Sequence, residues 1–178
     1  FRQLTVTAIT RESDSVISIR LEDPEGAPVP AARPGQYLTL RVPAREHQQP
    51  VLRNYSLSGA PAAGSYRVSV KREHAGAASG YLHTRLAVGD RLDVAAPRGS
   101  FILDQTHAPV LLISAGIGAT PVLAMLQALA QERSDREILW LHGARSGREP
   151  SFAAESRALI ASLPNARARV YYSRPAPN

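Results

Sequence analysis

The 178-residue sequence contains no cysteine and one tryptophan, and aromatic residues make up 6% of it. Without cysteine the chain has no disulfide, no thiolate nucleophile, no thiolate-bound zinc and no cysteine-ligated iron–sulfur cluster. Any redox chemistry would therefore need an organic cofactor or a separate module. No apolar run approaches the roughly 18 residues of a membrane span. The first residues show no apolar segment of a signal peptide, and we expect a cytoplasmic location.

Charge and histidine spacing exclude two further classes of site. The net charge is +6, from 21 Lys and Arg against 15 Asp and Glu, and the charges are dispersed along the chain. Such a mild excess is typical of a solvated surface, or of a protein that attracts phosphates or an acidic partner. With few aromatic residues, we expect no nucleic-acid partner. We also expect no metal site, because metal-ligand spacing does not relate the five histidines, which are His47, His74, His83, His107 and His142.

Up to about residue 104, apolar and polar residues alternate, and Gly- and Pro-rich turns separate the alternating runs. The alternation predicts strands over residues 17–22, 37–42, 53–58, 66–71, 92–94 and 101–103. Short strands at this spacing are typical of an antiparallel barrel or sandwich. A short helix is predicted from Ser79 to Leu86, because Leu82 and Leu86 lie one turn apart on one face.

After His107 the pattern changes to that of a parallel sheet with helices. A continuously apolar strand over residues 110–113 is typical of a strand that is covered on both faces. Two helices, over 121–133 and 152–163, alternate with two further strands, over 138–141 and 169–172. This order predicts a doubly wound α/β domain. We therefore expect an antiparallel β-barrel over residues 1–106 and a nucleotide-binding α/β domain over residues 107–178.

The predicted α/β domain has only three strands. The first strand of a doubly wound sheet normally lies in its middle, but here it would become an edge with exposed Leu and Ile side chains. We infer that residues beyond Asn178 complete the sheet, and that the chain is a piece of a larger protein.

A glycine-containing turn, Ser114–Pro121, lies between the first apolar strand and the first helix of this domain. Gly116 and Gly118 would let the backbone approach a pyrophosphate. Thr120 is expected to cap the helix and Pro121 to occupy its first position. The helix N-terminus would then attract a phosphate. A plain strand–turn–helix corner is the alternative, since the third glycine of the dinucleotide fingerprint is missing.

The second apolar strand ends near Arg145 and Ser146. The dinucleotide fingerprint places an acidic residue here, on the ribose of NAD. An arginine and a hydroxyl would instead suit the 2′-phosphate of NADP, while an ordinary surface arginine is the alternative.

Two segments of the first domain have the residue types that bind a flavin nucleotide. As a strand, Arg53–Ser58 places Arg53, Tyr55 and Leu57 on one face and Asn54, Ser56 and Ser58 on the other. Tyr55 would offer a flat apolar surface and Arg53 a fork that matches a phosphate. An amphipathic edge strand explains the pattern equally well. Gly76–Ser79 precedes the short helix and joins a glycine to a hydroxyl helix cap.

Together these segments resemble the ferredoxin–NADP reductase superfamily over nearly the whole chain. Arg53–Ser56 resembles its flavin signature, Gly76–Ser79 its second flavin phosphate motif and Gly116–Pro121 its pyridine-nucleotide motif. The segments Pro34–Leu38 and Tyr81–His83 look most like the reductase module of flavohaemoglobins. Similar modules are fused to iron–sulfur or MOSC domains.

The resemblance implies a role for each matching residue. Tyr55 would pack against the isoalloxazine ring, Ser56 would lie near its N5, Arg53 would hold the pyrophosphate, and Tyr37 would border the flavin. Tyr55, Ser56 and Thr120 would meet at the catalytic contact between nicotinamide and flavin. The other cofactor-binding residues implied are Asn54, Lys71, Gly76, Ala77, Ala78 and Ser79 for the flavin, and Gly116, Ile117, Gly118, Ala119, Thr120 and Pro121 for the nucleotide.

The resemblance also implies a reaction, in which NAD(P)H passes a hydride to the flavin. We expect FAD rather than FMN. The reduced flavin would pass single electrons to a haem or iron–sulfur acceptor, either a separate protein or a domain fused to this chain. A flavin-binding electron-relay subunit that docks a redox partner without reacting with NAD(P)H is the alternative.

Overall fold

The computed structural model describes residues 1–43, 49–60, 64–146 and 151–174. His47 lies outside these ranges. The described chain forms two sheets, and we call the antiparallel one with its helix the first lobe and the parallel one with its helices the second lobe. No helix in the described ranges is both long enough and apolar enough to cross a bilayer.

The first lobe is a six-stranded antiparallel sheet. Its strands are β1 (Arg2–Arg11), β2 (Val16–Glu22), β3 (Tyr37–Val42), β4 (Val51–Ser56), β5 (Ser65–Lys71) and β6 (Arg91–Val94). They lie in the order β4-β3-β6-β1-β2-β5. The curl of the sheet brings its edge strands β4 and β5 together at a bridge between Leu57 and Val68. The sheet is therefore barrel-like but not closed.

Alternation along the strands produces the core of the first lobe. Every second residue points to the interior, where Ile19, Leu38, Leu40 and Val68 are fully buried. Helix α1 (Ala77–Thr84) packs against β3, β4 and β5. It begins two residues earlier than expected and ends before Leu86.

The second lobe is a three-stranded parallel sheet in the order β7-β8-β9. Its elements are β7 (Val110–Ala115), a single 3₁₀ turn (Gly116–Gly118), α2 (Ala119–Gln131), β8 (Ile138–Ala144), α3 (Ala153–Ser162) and β9 (Ala166–Tyr172). Strand β7 lies at the edge, and Leu111 and Ile113 are 58% and 67% exposed. The predicted edge strand with exposed apolar side chains is confirmed. The inference that further residues complete the sheet stays a prediction.

Two further details of the first 110 residues differ from expectation. The predicted strand over 101–103 is wrong, because this segment crosses between the lobes and Leu103 N donates to Pro34 O at 3.1 Å. Strand β1 was not predicted. Its buried residues Leu4 and Val6 alternate, but a β-bulge between Val6 and Ala8 breaks the period immediately afterwards.

Apolar and polar contacts hold the two lobes together. Val16 of β2, Leu123 of α2 and Phe152 at the start of α3 form one buried cluster. Beside it, Arg67 Nη2 of β5 donates to Glu155 Oε1 of α3 at 2.8 Å. Because this pair crosses from one lobe to the other, it fixes their relative orientation.

Replacing Glu155 by alanine should lower the free energy of unfolding by about 1–2 kcal/mol, because the Arg67 guanidinium would lose its carboxylate. The Arg67 and Glu155 side chains are only 22% and 26% exposed. Urea denaturation measures the change. Arg157→Ala, at an exposed position of the same helix, is the control, and equal stability of the two variants would contradict the account.

The crossing segment between the lobes is anchored by a buried arginine. Arg136 Nε donates to Ala108 O at 2.7 Å, and its Nη1 and Nη2 donate to Asp104 O and Oδ1 at 3.1 and 3.0 Å. The guanidinium also contributes to holding the pKa of Asp104 below its usual range, after the hydrogen bonds that this carboxylate accepts from Thr106.

We expect Arg136→Ala to lower the free energy of unfolding by about 2 kcal/mol, since the carbonyls of Ala108 and Asp104 and the Asp104 carboxylate would lose the donor that anchors their segment. Thermal unfolding with Glu137→Ala as the exposed neighbouring control measures this. A melting temperature as high as that of the control would show that the anchor contributes nothing.

Candidate functional site

The motif that begins at Arg53 lies on β4, an edge strand of the first lobe. Tyr55 is half-buried and packs against the core of the barrel, whereas Arg53 is exposed. Across the ladder, Ser56 pairs with Tyr37 and Asn54 with Thr39, whose hydroxyl donates to Asn54 Oδ1 at 2.8 Å. The strand therefore places Tyr37 beside Ser56 at one end of β3 and β4.

Electrostatics around β4 favour an anionic ligand. Arg53 Nη1 donates to Leu52 O at 2.8 Å, and no carboxylate of the described residues lies within ion-pair distance of Arg53. Burial raises the pKa of the Tyr55 phenol, while the nearby Arg53 charge opposes that rise. The Tyr55 ring is therefore neutral at physiological pH, beside a cation.

Helix α1 brings the second motif next to β4, since it packs against that strand. Its cap is Gly76, so the expectation that Ser79 caps the helix is wrong. Instead Ser79 lies in the first turn, where its Oγ accepts from Glu73 N at 3.1 Å. A Cβ at Gly76 would clash with Ser79 Oγ and lie 3.1 Å from Glu73 Cβ, so a side chain at this position would displace the Ser79 hydroxyl. Ala77 and Ala78 complete a first turn without acidic residues.

Lys71 lies at the end of β5, just before this turn. Its Nζ is 3.5 Å from Glu73 Oε1, so its charge is partly compensated. The sequence reasoning missed Glu73 as the partner, although the two residues are adjacent on one face of an extended segment.

The glycine turn of the second lobe follows β7. Gly116 has φ +51°, in the left-handed region, and Gly116 to Gly118 form the 3₁₀ turn that leads into α2 at Ala119. The expected caps are wrong, because Gly118 occupies the cap position of α2 and Pro121 is the third helical residue. The Thr120 hydroxyl donates to Ile117 O at 3.0 Å.

Space is available at this turn. A Cβ at Gly116 or Gly118 would meet no atom within 4 Å. The first turn of α2 contains no acidic residue. Open space and a helix N-terminus suit a phosphate group. Arg145 lies one residue after β8, whose strand packs against the glycine turn.

The two lobes contact each other next to the candidate flavin residues of the first lobe and the glycine turn of the second lobe. The turn that precedes Tyr37 packs on α2, because a Cβ at Gly35 would lie 2.6 Å from Met125 Cε. The segment that follows Ser56 also contacts α2, where Ala60 N donates to Gln127 Oε1 at 2.6 Å. Helix α2, which begins at the glycine turn, is thus the element that joins the two candidate sites.

The donor set fits a flavin nucleotide and a nicotinamide nucleotide. Strand β4 offers an exposed guanidinium and a half-buried phenol ring, and α1 begins without acidic residues. The guanidinium and the helix start suit the phosphates of FAD, and the phenol ring suits its aromatic ring. On the second lobe, the open glycine turn suits a pyrophosphate. Each group would be held by main-chain N–H groups and one cation.

Two family models match the chain over nearly its whole length. Residues 3–102 match an oxidoreductase FAD-binding domain and residues 112–178 an oxidoreductase NAD-binding domain. The chain belongs to this oxidoreductase family. The predicted cofactors, FAD and a nicotinamide nucleotide, are confirmed at the level of the family, and so is the predicted fold.

Similar proteins include reductase domains of the predicted kind. A flavohemoprotein of Deinococcus radiodurans is 42% identical over 178 residues, which is 100% of this chain and 44% of that protein. A flavohemoprotein of Oceanobacillus iheyensis is 36% identical and also covered to 44%. The chain thus spans less than half the length of the curated relatives it matches.

Solved structures show the same arrangement. The flavohem-like FAD/NAD binding domain of nitric oxide dioxygenase from Vibrio cholerae is 36% identical with a TM-score of 0.93, covering 99% of this chain and 76% of that one. Phthalate dioxygenase reductase is 26% identical with a TM-score of 0.83, covering 99% and 53%. The resemblance to flavohaemoglobin reductase modules is confirmed.

Proposed function

We propose that this chain takes a hydride from NAD(P)H onto FAD and passes single electrons to a haem or iron–sulfur acceptor. When bound, FAD supplies the chemistry, since it accepts two electrons at once and releases them one at a time. The observation that carries the proposal is that α2 begins at the glycine turn of the second lobe and also contacts, at Gly35 and Ala60, the segments that flank the flavin site of the first lobe. We also propose that residues 1–106 form the FAD-binding domain and residues 107–178 the NAD(P)-binding domain.

Each lobe has its own task in this proposal. Arg53 holds the FAD pyrophosphate, and Tyr55 and Tyr37 pack beside the flavin ring with Ser56 near N5. Asn54, Lys71 and the segment Gly76–Ser79 complete the flavin site. On the second lobe, Gly116–Pro121 binds NAD(P)H, and Arg145 accepts the 2′-phosphate of NADP. The inter-lobe contacts keep the two sites at a fixed separation, so that the bound flavin and nicotinamide are already positioned next to each other.

Anaerobic stopped-flow mixing of the FAD-loaded chain with NADH or NADPH tests the reaction. A reductase bleaches the visible flavin band, and the ratio of the two rates measures the nucleotide preference. A change of that ratio in Arg145→Ala measures the contribution of Arg145. An electron-relay subunit would hold the flavin but leave the band unchanged. That result, with bound nucleotide demonstrated separately, would favour the relay.

The acceptor is proposed from the relatives. Two curated relatives are named flavohemoproteins, and the phthalate dioxygenase reductase is described as passing electrons from pyridine nucleotides to a [2Fe–2S] centre. We propose that a haem domain fused to this chain is the acceptor, in the cytoplasm. Reduction of an added globin domain by NADH, dependent on this chain, tests the partner.

A further inference from the structure

Three side chains form a connected group at the edge of the second lobe where β7 and β8 end. Trp140 Nε1 donates to Ser114 Oγ at 2.9 Å, and Ser114 Oγ lies 2.9 Å from His142 Nδ1. Ser114 and His142 are direct neighbours in the parallel ladder. The rings of Trp140 and His142 lie 5.3 Å apart at 45°. We call these three residues the Trp–Ser–His chain.

Counting protons fixes the direction of these bonds. An indole N–H can only donate, so Ser114 Oγ accepts from Trp140. No other acceptor for the Ser114 hydroxyl proton occurs among the described residues, so the fully paired arrangement has Ser114 donating to His142 Nδ1. A neutral His142 then has its proton on Nε2.

His142 Nε2 points out of the packed interior. His142 Nε2 has no hydrogen-bond partner in the described ranges. The only buried side-chain polar atom without a hydrogen bond in those ranges is Arg67 Nε. His142 Nε2 is therefore not buried and reaches solvent. Strand β8 packs against the glycine turn Gly116–Gly118. Ligands of parallel α/β sheets bind at the ends where the strands finish. The exposed N–H therefore lies at the edge that would receive a nucleotide.

We propose that His142 contacts the nicotinamide nucleotide, donating from Nε2 to a pyrophosphate oxygen, with Ser114 and Trp140 as positioning residues. The inference rests on the proposed function, because it names a side chain of the same nucleotide site. The sequence analysis included Ser114 in the glycine-containing turn but gave none of the three residues a role in nucleotide binding.

The surroundings of His142 couple this contact to pH. Burial lowers the pKa of the free imidazole. The groups around it are the Ser114 hydroxyl of β7, the Trp140 indole of β8 and Val170 of β9, and neither the 3₁₀ turn nor the first turn of α2 has an acidic residue. A bound phosphate would raise the pKa of His142. By linkage, the affinity of the chain for the nucleotide should therefore increase as the pH falls from 8 to 6.

Binding of ADP-ribose and of adenosine to the whole 178-residue chain, measured by Trp140 fluorescence and calorimetry, tests the proposal. Trp140 is the one tryptophan of the chain, so its emission reports on this site. His142→Ala should weaken ADP-ribose binding by about fivefold to tenfold, leave adenosine binding unchanged and abolish the pH dependence. His142→Gln, which keeps a side-chain N–H donor, should restore part of the affinity but not the pH dependence.

His107→Ala, at an exposed histidine of the crossing segment, is the matched control. Ser114→Ala should weaken ADP-ribose binding by about twofold to threefold and shift the Trp140 emission, because both of its partners lose a bond. Equal ADP-ribose affinity of the native and His142→Ala chains would overturn the inference and leave the proposed function intact. No ADP-ribose binding by the native chain would overturn both. FAD titration of His142→Ala shows whether the first lobe is folded.

Discussion

We expect Arg53→Ala and Tyr55→Ala each to weaken FAD binding by about tenfold to hundredfold. Arg53 is an exposed guanidinium without a carboxylate partner in the described residues, so a diphosphate would gain a charge-assisted bond from it. Tyr55 provides the half-buried ring beside Arg53. Truncation of Tyr55 to alanine would remove the aromatic surface on which the flavin stacks. Titration of flavin-depleted protein with FAD, followed by flavin fluorescence, measures both changes.

Arg20→Ala is the control for this prediction. Arg20 is exposed on β2, a strand that does not pair with β4. Its loss removes the same charge from the same sheet, so a purely long-range electrostatic effect would weaken binding equally in Arg20→Ala and Arg53→Ala. Normal FAD occupancy in both Arg53→Ala and Tyr55→Ala would refute the assignment of β4 to the flavin site.

Gly35→Ala should destabilise the chain by about 2–5 kcal/mol, which is a large part of the stability of an ordinary domain. Gly35 has φ +100°, a conformation that side chains rarely adopt. An added Cβ would also clash with Phe101 O and lie 2.6 Å from Met125 Cε. Both the crossing segment and α2 would have to move, so the contact between the lobes would loosen.

Urea denaturation of Gly35→Ala and Gly64→Ala measures this effect. A Cβ at Gly64 would meet nothing within 4 Å, and its φ is not positive. We expect Gly64→Ala to stay within about 0.5 kcal/mol of the native chain. If Gly35→Ala were equally stable, the tight approach of the first lobe to α2 would be wrong.

The fold followed from local patterns where each element obeys its period without interruption. The buried stripe of α2, which includes Leu123, Leu126 and Leu129, and the apolar strand at residues 110–113 are regular, and the structure confirms them. Strand β1 was missed because its bulge breaks the alternation. The segment 101–103 was assigned wrongly because alternation alone does not distinguish a strand from an extended crossing segment.

The candidate site could be predicted to the level of segments but not of contacts. The residue types on β4, α1 and the glycine turn indicated phosphate and ring binding. The roles of Ser79 and Thr120 within their helices could not be predicted, since helix starts shift by one or two residues. The hydrogen bonds of the Arg67–Glu155 pair and of the Trp–Ser–His chain join residues that are 26 or more positions apart, and periodicity does not contain that information.

The visible absorption spectrum of the purified chain, with the mass of the released cofactor, shows whether this chain binds FAD. We expect the bands of an oxidised flavin, with one FAD released per chain and its occupancy restored when FAD is added to flavin-depleted protein. A correctly folded chain that stays colourless after incubation with FAD would contradict this expectation.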